Sequence, residues 1–222
     1  NSDEFFMKRV GLLKRKIAEK SPERSHDGLT TDQHYQAVRD KIASLTREVI
    51  DLWTHKLRPD MESENIFIKD YVELTPDQKA KADEYFRTQI YPVLTPLAVD
   101  PGHPFPFISN QSLSVGVLVR PPNAAGEPLF ARVKVPQLLS RWLTFQAGLA
   151  YTFVPIETII EGRLEALFPG MEVVEAQHFR VTRNAEVDAD VEDPEDLLEV
   201  VQEELRARRF ADTVRVQITA NM

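Results

Sequence analysis

Five prolines fall between Pro92 and Pro106, and no regular element can run through them. Each holds φ at about −65° and lacks a backbone donor, so Pro92, Pro96, Pro101, Pro104 and Pro106 exclude both a helix and a central strand. The stretch has to be held by packing instead, through Leu94, Leu97, Phe105 and Phe107. Ahead of it, Thr75-Pro76-Asp77-Gln78 supplies a capping hydroxyl, a proline at the first helical position and a glutamine three residues past the cap. Those signals predict a helix that ends near Tyr91. Behind it, residues 113–119 and 130–135 are β-rich runs joined by a turn-forming stretch, which predicts a hairpin. Further strands are expected at 66–68, 151–154, 214–218 and within 172–187, with helices at 156–168 and from Asp193 to about Arg209. Strands and helices alternate without a regular βαβ repeat, so this part reads as α+β with a mostly antiparallel or mixed sheet.

The first 64 residues have a different texture. Phe6, Val10, Leu13 and Ile17 recur at spacings of four, three and four, the stripe of an amphipathic helix. A second, longer helix is predicted from Thr31 to Arg58, where Pro59 is expected to end it. Within it Tyr35, Val38, Ile42, Leu45, Val49 and Leu52 alternate spacings of three and four, a seam that needs a facing helix. The two stripes can bury each other as a helical hairpin. The predicted organisation is therefore a helical domain over 1–64 and an α+β domain over 65–222.

The chain has 222 residues, 42% hydrophobic and 28% charged, enough for a buried core. Its 27 basic and 35 acidic side chains give a net charge of −8, which argues against a uniformly basic nucleic-acid binder. Basic and acidic residues balance through Glu64, so the excess acid lies downstream, and residues 186–204 hold ten acids and no base. Cysteine is absent, which excludes disulfides, thiolate nucleophiles and sulfur-ligated metals. No apolar run reaches the roughly 18 residues of a membrane span, and neither a signal peptide nor an initiator methionine is present. The chain reads as a piece of a longer, soluble, cytoplasmic protein, with peripheral attachment to a membrane left open.

Neither GxGxxG nor GxxxxGK occurs, and His26, His34, His55, His103 and His178 show no metal-ligand spacing. No nucleophilic triad is visible. One helix face carries Lys8, Lys14, Arg15, Lys16 and Lys20, which would suit a polyanion or simply a solvated surface. Asn1 can cap the first helix or read a nucleotide base edge with its paired donor and acceptor. Asp3 and Glu4 suit the start of a helix dipole better than a metal. Arg180 and Arg183 flank the acidic run, and ion pairs with it are the simplest expectation for them, phosphate contacts the alternative.

Five segments then line up with one family in order: 1–10 (NSDEFFMKRV), 92–107 (PVLTPLAVDPGHPFPF), 130–136 (FARVKVP), 167–173 (LFPGMEV) and 179–185 (FRVTRNA). Together they resemble the histidine-phosphorylated type of polyphosphate kinase. The resemblance implies the end of that family's helical N-terminal domain in residues 1–64 and its α+β head domain in 65–222. It implies reversible transfer of the terminal phosphate of ATP to inorganic polyphosphate through a phosphohistidine beyond this chain, with magnesium bound outside it as well. It assigns ATP contact to Asn1, from the family motif S-N-L-D-E-F, where this chain departs by carrying Ser2 in place of leucine. No catalytic or metal-binding residue is implied within the chain, and 1–222 alone is expected to be inactive. ATP or ADP, polyphosphate and a second copy joined through the head domain are the implied partners, with no specific nucleic acid. The alternative is a non-catalytic self-association or partner-docking module.

Overall fold

The structure is a computed structural model, and it describes residues 2–20, 22, 24–99, 105–122, 127–185 and 211–219. Two compact units divide the chain. The smaller is assembled from three separate stretches, 1–49, 108–111 and 180–217, and the larger from 50–107, 112–179 and 218–222. The predicted helix from Asp193 to about Arg209 lies outside the described residues.

In the smaller unit α1 (Ser2–Phe5), a π-helical stretch (Phe6–Val10) and α2 (Gly11–Ala18) form one continuous helix. The predicted stripe is what it buries: Phe6 and Val10 pack with Val214, and Tyr35, Val38 and Ile42 of α3 (Thr31–Leu52) cover them. The hairpin of stripes is thus real over its first half. The rest of the α3 seam stays exposed, with Leu45, Val49 and Leu52 all open to solvent.

The prediction that Pro59 ends the long helix is wrong. After α3 the chain passes through a π-helical stretch (Trp53–Leu57) and continues as α4 (Arg58–Ser63), with Pro59 in its first turn. The physical reason is the wide turn. The Arg58 N–H reaches back five residues to the Trp53 carbonyl, so the helix is already one residue out of its usual ladder where the proline arrives. The same device recurs after α5 (Pro76–Tyr85): a π-helical stretch (Phe86–Ile90) in which the Tyr91 N–H meets the Phe86 carbonyl, immediately before Pro92. The start of α5 is as predicted, with Thr75 and Gln78 forming a reciprocal capping box.

The larger unit is built on two sheets. In one, β1 (Ile66–Ile68) runs parallel to β6 (Ala150–Pro155), which pairs antiparallel with β5 (Trp142–Ala147). In the other, β2 (Leu97–Ala98), β4 (Leu129–Lys134), β3 (Leu113–Arg120) and β7 (Glu172–Arg183) are neighbours in that order. The predicted β3–β4 hairpin is present and antiparallel, Val117 facing Ala131. β3 is buried along most of its length, so its LSVGVLVR sequence is nearly all apolar rather than alternating. Val115, Val117, Val133 and Val154 join Ile90, Ile156, Ile159 and Ile160 in a fully buried core. The predicted helix over 156–168 is broken at Gly162 into α6 (Ile156–Glu161) and α7 (Leu164–Leu167). A Cβ at Gly162 would collide with the Tyr71 ring, so glycine is what lets the ring lie there.

The proline block behaves as its composition requires. Among the described residues it contributes one short 3-10 turn, Tyr91–Val93, with Pro92 near its start, and the two-residue edge strand β2, and Val99 adds one further bond to the Phe130 carbonyl. Leu94 packs on the core and Phe105 stacks on Phe130 at 5.5 Å, close over Gly116, where a Cβ would sit 3.0 Å from the Phe130 ring. The Phe107 carbonyl accepts from the buried Arg132, whose Nε also donates to Ser114 Oγ at 3.0 Å.

Candidate functional site

Residues far apart in sequence meet at the start of the first helix, within the smaller unit. The end of β7 supplies Arg180 and Arg183, and its neighbour β8 (Thr213–Ile218) supplies Arg215 and Gln217. Arg180 grips Asp3 with both ends of its fork, NH2 to Oδ2 at 2.7 Å and NH1 to Oδ1 at 3.1 Å. Its NH1 also reaches Gln217 Oε1, and its Nε donates to the Gln111 carbonyl. A bidentate guanidinium–carboxylate pair with both partners about three-quarters covered is a geometric clamp as well as a charge pair.

Arg215 occupies the other side. Its guanidinium lies over the Phe6 ring, 4.2 Å from the centroid. That contact fixes the group in space through the ring quadrupole. The helix is tied down further along by Ala185, whose N–H donates to the Met7 carbonyl, and by Lys14, whose ammonium donates to the Thr213 carbonyl. Gln111 Nε2 approaches Met7 Sδ at 3.2 Å.

The electrostatics follow the geometry. The hydrogen bond from Arg180 holds the Asp3 carboxyl below its usual range; burial opposes this, and the charges of Arg180 and Arg215 add to it. Burial pulls Arg215 down from its ordinary value; Asp3 opposes the shift and Arg180 reinforces it. Two cations and one carboxylate therefore share one small region.

Sequence reasoning named some of these residues and misjudged their partners. Asn1 lies outside the described residues. Arg180 was expected to pair with the acidic run at 186–204, which also lies outside them. The carboxylate that it meets among the described residues is Asp3, 177 positions away. Arg183 donates to the Ile108 and Ala211 carbonyls. Neither Arg215 nor Gln217 was singled out, although the strict alternation of Val214, Arg215, Val216, Gln217 and Ile218 already places the two polar residues on one face of a strand. The basic helix face is largely engaged: Lys8 with Glu4 at 3.1 Å, Arg15 near Glu19 at 3.9 Å, and Lys14 as above. Around Arg9, Lys16, Arg24 and His34 there is a cavity of only about 90 Å³, well below the ~300 Å³ at which small-molecule pockets begin. Among the described residues no three His, Asp or Glu come together as a metal site. Nor does any helix among them have the length and apolarity to cross a membrane.

Comparison with known proteins agrees with the resemblance. The sequence model of the polyphosphate kinase N-terminal domain matches residues 1–69, and that of the polyphosphate kinase middle domain matches residues 77–222. A polyphosphate kinase of Thermosynechococcus vestitus is 41% identical over 224 residues, covering 98% of this chain and 30% of that protein. One from Streptomyces coelicolor is 42% identical over 218 residues, covering 98% and 29%. The crystal structure of a polyphosphate kinase from Porphyromonas gingivalis shares the fold, with a TM-score of 0.73 at 20% identity over 94% of this chain and 32% of that one. The chain thus spans about a third of the length of the relatives it matches.

Proposed function

Starting from the fact that the chain belongs to the polyphosphate kinase family, we propose that it is the nucleotide-positioning portion of an enzyme that reversibly moves the terminal phosphate of ATP onto inorganic polyphosphate. The observation that carries this reading is the clamp on Asp3, two positions along the sequence from Asn1, the residue to which the family motif assigns ATP contact. A pair of hydrogen bonds fixes Asp3 at the start of the described helix, and positioning is most of what a protein contributes to phosphoryl transfer.

The transfer step itself belongs to a phosphohistidine outside these 222 residues. None of the histidines here takes that role; His178, for instance, is committed to Glu161, 3.1 Å away. Magnesium would serve to neutralise phosphate charge, and no residue among those described is assigned to hold it. Self-association through the α+β part and a cytoplasmic location complete the proposal.

Steady-state assay of the full-length protein tests it. Asn1→Ala is expected to raise the KM for ATP about tenfold, the order of one lost hydrogen bond to a buried acceptor or donor, and to leave the KM for polyphosphate unchanged. An unchanged KM for ATP, or polyphosphate formed from ATP by residues 1–222 alone, would overturn the reading.

A further inference from the structure

Two side-chain amides converge on one sulfur. Gln111 Nε2 lies 3.2 Å from Met7 Sδ and Asn110 Nδ2 lies 3.9 Å from it. Both amides are held there by bonds that have nothing to do with the sulfur. Asn110 Oδ1 accepts the Arg183 N–H at 2.9 Å, and because a backbone N–H can only donate, the amide must turn its NH2 the other way. Gln111 is fixed through its backbone: its N–H donates to the Val181 carbonyl, its carbonyl accepts from Arg180 Nε, and its φ of 59° lies in the left-handed region. Met7 belongs to the π-helical stretch of the first helix, is half-buried, and through its carbonyl accepts the Ala185 N–H.

A thioether is a poor match for such a cradle. Its sulfur is a weak acceptor, whereas an amide N–H seeks an oxygen at about 2.7–3.2 Å. The 3.9 Å separation leaves the Asn110 donor well short of a full bond. An oxygen carried on the sulfur would be a strong acceptor set between both amides. Sulfoxide formation ordinarily damages a methionine site by placing a polar group among apolar ones. Here Phe6 and Val10 make the apolar contacts of this stretch, and Met7 faces amides.

We propose that Met7 is a reversible oxidation site, whose sulfoxide oxygen is received by Gln111 and Asn110 and fastens the first helix to residues 110–111. The oxidant is a peroxide. A sulfur lone pair attacks one peroxide oxygen, the O–O bond breaks as the S–O bond forms, and the sulfur loses two electrons; with hydrogen peroxide the leaving hydroxide takes up a proton and departs as water. A methionine sulfoxide reductase reverses the step, two thiols supplying the electrons and the oxygen leaving as water.

The test treats the full-length protein with hydrogen peroxide, locates the added oxygen by peptide mass spectrometry and follows hydrogen exchange of the Ala185 amide, which reports on the seat of Met7. Oxidation at Met7 is expected to slow that amide about tenfold, the order of one hydrogen bond gained. Gln111→Glu puts an acceptor where the nearer donor stood, so oxidation should then speed the amide instead. Asn110→Asp removes the other donor and gives the same readout if Gln111→Glu does not fold. In Met7→Leu, peroxide should leave the Ala185 amide unchanged. The proposal fails if Met7 stays a thioether under peroxide that oxidises Met61 and Met171. It fails equally if the sulfoxide speeds the Ala185 amide in the wild type, which marks an ordinary oxidative lesion, or if the slowing survives in the Gln111 and Asn110 variants or in Met7→Leu.

Discussion

The two units of this chain are stabilised by opposite means. The larger is organised around eight fully buried aliphatic side chains drawn from two sheets and the helices against them, including Ile156, Ile159 and Ile160 of α6. The smaller has three buried residues in its cluster, Phe6, Val10 and Val214, and a network of polar bonds whose partners lie at opposite ends of the sequence. Apolar burial is non-directional and tolerant of repacking; a guanidinium fork on a carboxylate is directional and fails when one atom is removed. The larger unit is held by packing and the smaller chiefly by directional bonds.

Titration separates them as well. In the larger unit burial works against the charged form of His178, and the close approach of Glu161, with the charges of Glu157 and Asp70 adding to it, outweighs that, so the imidazole is raised above 6.5. Its Nε2 approaches Glu161 without the alignment of a hydrogen bond, so charge more than direction holds the pair. Burial raises Asp70 too, with Glu73 and Glu161 adding to it. A raised group stabilises the fold below its unfolded value and loses that contribution as pH climbs through its folded one. Asp3 in the smaller unit is lowered, chiefly by Arg180, and so has the reverse sign: its contribution is present above 3.8 and is lost as pH falls through the folded value.

Substitution in the apolar core should have the largest effect. Ile159→Ala removes a side chain with no exposure and is expected to cost about 2–5 kcal/mol. Denaturant unfolding followed by tryptophan fluorescence measures it, because Trp53 and Trp142, the two tryptophans in the chain, both belong to the larger unit. A loss below 1 kcal/mol would break the contrast. Next comes Asp3→Asn, which keeps the shape and removes the charge; it should cost about 1.5–3 kcal/mol, the scale of a charge-assisted hydrogen bond. Hydrogen exchange should show the loss as faster exchange of the Ala185 amide, which donates to Met7, with little change in the amides of β3. The smallest effect is the pH dependence. Raising pH from 6 to 8 should lower the stability of the larger unit, and His178→Gln should flatten that slope while leaving the acid limb of Asp3 in place.

Several local signals in the sequence are legible, the stop at Pro59 is not, and pairings between distant residues leave no signal at all. The Phe6/Val10 stripe found Tyr35, Val38 and Ile42 because helical periodicity announces a buried face, and the Thr75–Gln78 capping box is a four-residue device complete in itself. β5 was missed: Trp142 to Ala147 mixes Thr144 and Gln146 with Leu143 and Phe145 on an edge strand, and its partner β6 gives no turn signal as strong as a proline or an Asn-Gly pair. The parallel partner of β6, β1, lies more than eighty residues earlier, and no spacing rule reports such a pairing. The same limit hid the candidate site. Opposite charges 177 residues apart carry no pattern, so Asp3 and Arg180 were both noticed and not joined.

The wide helical turns ahead of Pro59 and Pro92 bear on how a protein like this can change its length. In each, five residues occupy a loop of backbone that an ordinary helix closes with four, and the proline stands two positions beyond. Deleting one residue from 53–57 would allow the normal ladder to re-form and would press the pyrrolidine ring against the carbonyl four positions back. Insertions and deletions in the long helix are therefore filtered at that turn, and a register that suits the imino acid is the one that survives.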